Sequence, residues 1–458
     1  MKHPVDARRN QLIPIAAGLG LSVLVYASGN FGVLNVLGIR RIAQIALMIP
    51  VLVAFILSFS NVRRRLFDPI WLLAVLLLIR ELVFGSQWID LFNAVVLVMV
   101  VQAILAGNRA LVRSTLVGIV CLAAIFSLMG LIQAAVYFAK PELIDLANRP
   151  YSSETGADTV YLSSGWQYLG FNAADEGMFL FGRPFTRLNS FGSEPSVLVS
   201  TLLVPGLLGL TLGGAYRLFA LVILVFVIGP VQGGTIWLSC AIGAMLFFYF
   251  SAAERFPRLL MRPAAGLITV ASVLALMVFL QKIDTADFTA GLVTNLDKMS
   301  AVSSTFGSKT MSSEARLTGS QEAYAWVVAH PFGSLDGPAA AGMALIYAVG
   351  YLAGYIGMAL CVWCFVMLLQ QMADVFRTAS GKWAKVAISG CGGALLQAFF
   401  FSGYGWITPA GFIMFALIRR WLVPACLVEN RQAKGRPLLR RGRGWKPARV
   451  ILKGLATG

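Results

Sequence analysis

Val112-Arg-Ser-Thr-Leu-Val-Gly-Ile-Val-Cys-Leu-Ala-Ala-Ile-Phe-Ser-Leu-Met-Gly-Leu-Ile-Gln-Ala-Ala-Val-Tyr-Phe-Ala139 decides the fold of this chain. Nothing between Arg113 and Lys140 carries a charge, and the run exceeds the ~20 apolar residues that cross the hydrocarbon of a bilayer. Similar stretches precede it at residues 11–28, 42–60, 69–84 and 88–106. Others follow at 196–213, 216–231, 233–252, 264–281, 337–370, 384–402 and 405–423. With 58% apolar and 12% charged residues among 458, the chain lies far from the ~25% charge of soluble domains. The expectation is an all-α polytopic transmembrane bundle of about twelve spans.

The spans fall into blocks: residues 1–139 carry spans 1–5, 196–281 spans 6–9, and 337–424 spans 10–12, with a basic tail at 425–458. Two polar loops, 140–195 and 282–336, separate the blocks and hold 13 of the 20 acidic residues. Lys and Arg stay on the cytoplasmic side. An inside N-terminus puts Arg8 and Arg9, Arg63 to Arg65, Arg109 and Arg113, Arg217, Arg255 and Arg258, and Arg377 and Lys382 on one face, with Arg40 and Arg41 discordant. Both termini are then cytoplasmic and both long loops face outward. The loops carry net −5, so the rest of the chain carries +22 of the formal +17 total. A polybasic stretch from Arg419 to Lys453 on anionic lipid headgroups accounts for that charge without nucleic acid. The first apolar stretch lacks a convincing cleavage site and reads as an uncleaved span.

Several chemistries find no support in the residues. No phosphate-binding G-x-x-x-x-G-K-[ST] is present. Cys361-Val-Trp-Cys364 has redox or metal spacing, but it lies in an apolar helix without histidine nearby and reads as packing. Ionisable residues within spans are sparse (Arg80, Glu81, Asp90), unlike the midplane of an ion-coupled transporter. Gln102, Gln133 and Gln397 read as interhelical hydrogen-bonding groups. Neither a metal nor a cofactor is expected.

The chemistry is expected in the loops. Arg183-Pro-Phe-Thr-Arg187-Leu-Asn-Ser-Phe-Gly-Ser-Glu194-Pro195-Ser196 ends the first, with Pro195 suited to the opening turn of the next helix. Glu194 at that helix start either caps it and pairs with Arg187 or Arg183, or meets a substrate alongside Ser196. The loop's aromatics, Trp166 and Tyr168 among them, suit stacking on sugar faces and equally suit the membrane interface. The second loop turns helical near Ser313, with Glu314 and Arg316 in the first turn, and Pro331 and Gly333 end that helix. Ala323, Trp326 and Val327 face an apolar neighbour, and His330 sits where it partners the helix C-terminus. Arginines converging at such a site form forked bonds to phosphate or carboxylate, as a lipid-linked diphosphate requires.

Arg187 through Ser196 resembles the signature that enters a transmembrane helix in bacterial exopolysaccharide and O-antigen polymerases. Ser313-Glu-Ala-Arg316, the helix after it and His330-Pro331-Phe332-Gly333 resemble the segment before the late spans of the O-antigen polymerase and ligase superfamily. The run Tyr347-Ala-Val-Gly350-Tyr-Leu-Ala-Gly354-Tyr-Ile-Gly357 resembles the glycine-punctuated helix that follows. The resemblance implies a metal-independent GT-C-type glycosyltransferase in the bacterial inner membrane, acting on undecaprenyl-diphosphate-linked oligosaccharide. A glycan acceptor, membrane lipids, a chain-length regulator and other assembly proteins are its implied partners. By position, Arg187 and Arg316 hold the diphosphate, with Arg183 accessory. Ligases of the superfamily carry a histidine where Gly337 to Tyr347 has none, which favours polymerase over ligase. The general base is left to Glu194 or Asp336. A flippase or exporter of lipid-linked sugar is the rival from another class.

Overall fold

A computed structural model describes residues 4–28, 46–59, 68–84, 88–139, 178–180, 183–185, 198–231, 234–255, 322–333, 344–379, 381–400, 406 and 409–422. The first block folds into α1 (Pro4–Ser28), α2 (Met48–Ser58), α3 (Pro69–Phe84), α4 (Trp88–Ala106) and α5 (Arg109–Ala139). An antiparallel pair follows, β1 (Met178–Leu180) and β2 (Arg183–Phe185), a small departure from the all-α expectation. Next come α6 (Val204–Gly209), led in by a π-helical turn Val199–Leu203, then α7 (Ala215–Ile228) and α8 (Gly234–Arg255). After α9 (residues 322–329) lie α10 (Leu345–Thr378), α11 (Lys382–Phe400) and α12 (Pro409–Leu417), which continues into a π-helical turn, Ile418–Leu422. Helices thus occupy eleven of the twelve apolar intervals, and 264–281 lies outside the described residues. The two intervals at 216–252 are separate helices.

Among the described residues, three helical stretches are long and apolar enough to cross a membrane: Arg109–Val136, Thr235–Ala252 and Leu345–Thr378. Their outer faces keep large apolar side chains exposed, including Ile125, Phe248, Ile356 and Trp363. Water would disfavour so much uncovered hydrocarbon, whereas lipid accepts it. The interior is as apolar as the exterior, so helix pairing rests on close packing and on polar contacts. Gly243 on α8 and Gly393 on α11 supply the first. A Cβ at Gly393 would stand 2.7 Å from the Gly243 Cα, and only bare backbone permits that approach.

Helices α1 and α5 lie side by side and run parallel. The Ser114 hydroxyl reaches the Pro14 carbonyl (3.4 Å), and farther along, the buried Tyr26 hydroxyl reaches the Ile119 carbonyl (3.2 Å). The Tyr26 hydroxyl also lies 3.0 Å from the carbonyl of Thr201 in the π-helical turn before α6, joining three helices at one oxygen. Gln102 reaches Ser58 across α4 and α2 (3.4 Å), the interhelical role expected of it. Gln397 differs: it is fully buried, and its amide has no hydrogen-bond partner among the described residues.

Arg419 and Arg420 correct the reading of the tail. Both belong to the π-helical turn Ile418–Leu422 and bond to protein rather than to lipid headgroups. Arg419 pairs with Asp68 (3.4 Å) and donates to Gln371 (2.7 Å). Arg420 donates to the Gly107 carbonyl (3.2 Å), and the Trp421 indole to the Thr211 hydroxyl (2.9 Å). The start of α3, the ends of α4 and α6 and the lower part of α10 therefore converge on three consecutive side chains. Asp68 also caps α3, accepting from the Ile70 N–H (3.2 Å) ahead of a proline at the first helical position.

Candidate functional site

Seven of the eight expected site residues lie outside the described residues: Arg187, Arg316, Glu194, Ser196, Trp166, Tyr168 and Asp336. Arg183 opens β2, its backbone opposite Leu180 of β1. What the structure describes is the ground on either side of these residues: the hairpin before Arg187, the π-helical turn that begins three residues after Ser196, and the end of the second loop over residues 322–333.

That exit is tightly built. Helix α9 buries Ala323 and Val327, with Ala323 against Ala348 of α10, so the predicted inner face is the observed one. The helix stops as Pro331 and Gly333 dictate. The His330 N–H closes the last turn onto the Trp326 carbonyl (2.8 Å), and the Gly333 N–H bonds the His330 carbonyl (2.9 Å). The His330 ring stacks on the Trp326 ring with centroids 4.1 Å apart, and its Nδ1 lies 3.1 Å from the same Trp326 carbonyl. With the proton on Nδ1, the ring donates to a helix C-terminal oxygen, the structural role read from the sequence.

The turn then docks into a break in α10. Ala353 (φ −132°, ψ 15°) and Gly354 (φ 63°, ψ −158°) leave the helical region, and the Tyr355 N–H, without its usual helical acceptor, donates to the Pro331 carbonyl (2.9 Å). Gly354 occupies backbone space essentially reserved for glycine. A Cβ there would stand 2.6 Å from the Pro331 carbonyl carbon, and one at Gly333 (φ 88°) 2.5 Å from the Leu352 oxygen. Each glycine thus admits the backbone of the other's segment. Helix α10 begins at Leu345 and ends at Thr378, later than the expected 337–370.

A narrow crevice lies among α3, α10, α11 and α12, with Cys361, Cys364, Phe365 and Phe399 in its walls. Its lining is apolar and offers no acid, base or cation to a reaction. Cys361 and Cys364 are buried free thiols in this wall, in keeping with their packing role. Arg80 and Glu81, the charged pair inside a span, form an ion pair with each other.

The convergence on Arg419, Arg420 and Trp421 was missing from the sequence reading. Its one local signal is Asp68-Pro69 ahead of an apolar run, a capping pattern. Neither a family model nor a curated protein matches the chain.

Proposed function

We propose that the protein is a membrane glycosyltransferase of the polysaccharide-polymerase type, with twelve spans in a GT-C-like bundle, two outward loops and both termini cytoplasmic in a bacterial inner membrane. It joins oligosaccharide repeats carried on undecaprenyl diphosphate into a longer glycan. The observation that carries the reading is the contact between His330-Pro331-Phe332-Gly333 and the break at Ala353–Gly354. Two segments that resemble the same superfamily separately, the second-loop exit and the glycine-punctuated helix, are packed against each other. An exit anchored in this way is the kind of base that a preorganised site on the loop requires. The topology draws support from the parallel α1 and α5, both outbound in the twelve-span scheme, and from the turn at residues 418–422. The helix ends meeting there are all cytoplasmic in that scheme.

In this mechanism Arg187 and Arg316 grip the diphosphate and stabilise its charge as the anomeric carbon–oxygen bond breaks, with Arg183 accessory and Glu194 or Asp336 taking the acceptor proton. Trp166, Tyr168 and Ser196 contact the glycan. The test is polymer ladder length with purified lipid-linked repeat, with and without a chelator. Arg187→Ala and Arg316→Ala should each abolish polymerisation, a loss of roughly 3 kcal/mol or more in transition-state stabilisation. Lys replacements should recover little, because the forked geometry is lost. Full activity in both Ala variants, or strict dependence on a divalent metal, overturns the proposal.

A further inference from the structure

Beyond the exposed Glu322 at its start, helix α9 and the turn after it have no charged outer face. From Glu322 to Gly333 the sequence is Glu-Ala-Tyr-Ala-Trp-Val-Val-Ala-His-Pro-Phe-Gly, with Glu322 its one acidic residue and no Lys or Arg. One side of α9 is buried on α10 through Ala323 and Val327. The opposite side presents Tyr324 (54% exposed) and Val328 (53%), and the turn adds Phe332 (73%). A helix under water turns charged or polar residues outward, whereas one that is apolar all round is enclosed by protein or lies in lipid. Half of this helix is open among the described residues, so lipid is the medium that fits it.

Two further observations point the same way. The Pro331–Tyr355 hydrogen bond places Phe332 next to Tyr355 and Ile356, both exposed, at the head of the exposed apolar face that runs on through Val362 and Val366 of α10. The patch on α9 is thus continuous with a membrane-facing surface. The break also falls at the right depth: residues 355–378 extend roughly 36 Å at ~1.5 Å per residue, close to the ~30 Å hydrocarbon core. The break, and the turn locked into it, therefore sit at a hydrocarbon boundary. Tyr355 lies at the break beside Phe332, and Tyr324 packs its ring against Tyr347 (6.3 Å) about two turns farther out, tyrosines of the kind that collect at a membrane interface.

We propose that α9 and the His330–Gly333 turn form a collar seated in the bilayer at the headgroup–acyl boundary, with lipid as its occupant, so that the second polar loop leaves from within the membrane surface rather than above it. The inference is independent of the reaction assigned to the protein. Full-length protein carrying Val328→Cys or Phe332→Cys, labelled with an environment-sensitive fluorophore and reconstituted in phosphatidylglycerol–phosphatidylethanolamine vesicles, tests it. Ile356→Cys is the membrane reference, the fluorophore's free-cysteine adduct in buffer the aqueous one, and the unsubstituted protein labelled in parallel is the blank. Labels at 328 and 332 should emit to the blue, be quenched by nitroxide-bearing lipid as at 356, and resist aqueous iodide. Iodide quenching like that of the free adduct overturns the proposal. Resistance to both quenchers overturns it too, since it means that protein covers the face. Tyr324→Cys, one turn away on the same face, replaces either variant that fails to fold.

Discussion

Gly354 and Gly333 carry the contact between loop exit and broken helix, and their substitution has a graded outcome. Gly354→Ala must hold an angle essentially closed to other residues, at about 1–3 kcal/mol, and also displace the Pro331 backbone. Gly213 has φ 79° but nothing within 4 Å of a Cβ, so Gly213→Ala bears only the conformational cost, ~1–2 kcal/mol. Thermal unfolding in detergent should therefore place Gly354→Ala well below Gly213→Ala, and equal midpoints would refute the interlock. At this scale the sequence was informative where the signal is local. Pro331 and Gly333 announce the helix end, and the spacing of Ala323 and Val327 announces a buried face. The break at Ala353–Gly354 was not legible, because Gly350, Gly354 and Gly357 read alike as helix punctuation. Only contact with a turn twenty residues earlier singles out the middle one.

Among the elements, the π-helical turn Ile418–Leu422 ties together helix ends from across the bundle, and its charge pair can be measured. Asp68 is almost wholly enclosed (4% of its side chain exposed), so Arg419→Ala strands a buried carboxylate. Removing one partner of such a pair costs about 3–5 kcal/mol. Asp68→Asn should cost less, because its side-chain oxygen still caps α3. The double variant should lose less than the two single losses combined, and strict additivity in an unfolding cycle would show the pair to be inert. Hydropathy could not reveal this arrangement. Asp68 and Arg419 are separated by most of the chain, and Arg419 is the first of a run of basic residues that reads as a solvated tail. Helix positions were legible because lipid imposes length and apolarity on each. Their pairings were not, because the small residues that set them, such as Gly243 and Gly393, recur throughout the chain.

For the whole molecule, the proposed topology predicts that reporter fusions after residues 165 and 300 register as periplasmic and a fusion after residue 440 as cytoplasmic. A cytoplasmic signal from either loop would overturn the mechanism along with the map. Truncation after about residue 430 spares Arg419, Arg420 and Trp421, so it should lower abundance without abolishing polymer formation. Complete loss of turnover at normal protein levels would give the tail a role in the reaction. The expected site residues have defined flanks, and their sequence signal was residue type beside a membrane boundary. Such a signal identifies candidates but sets no distance between two loops.

The hydrogen bonds of Tyr26 carry a consequence for synthesis. Its two acceptor carbonyls belong to residues made 93 and 175 positions later. At ribosomal speeds of ~5–20 residues per second, the first helix waits roughly 10–35 s for the second of them. Until residue 119 is made the Tyr26 phenol lacks both acceptors, and until residue 201 it lacks the one that ties α1 and α5 to the turn before α6. Nascent chains arrested before residue 200 should therefore be the forms most exposed to membrane quality-control proteases, and chains arrested a few dozen residues later should be spared.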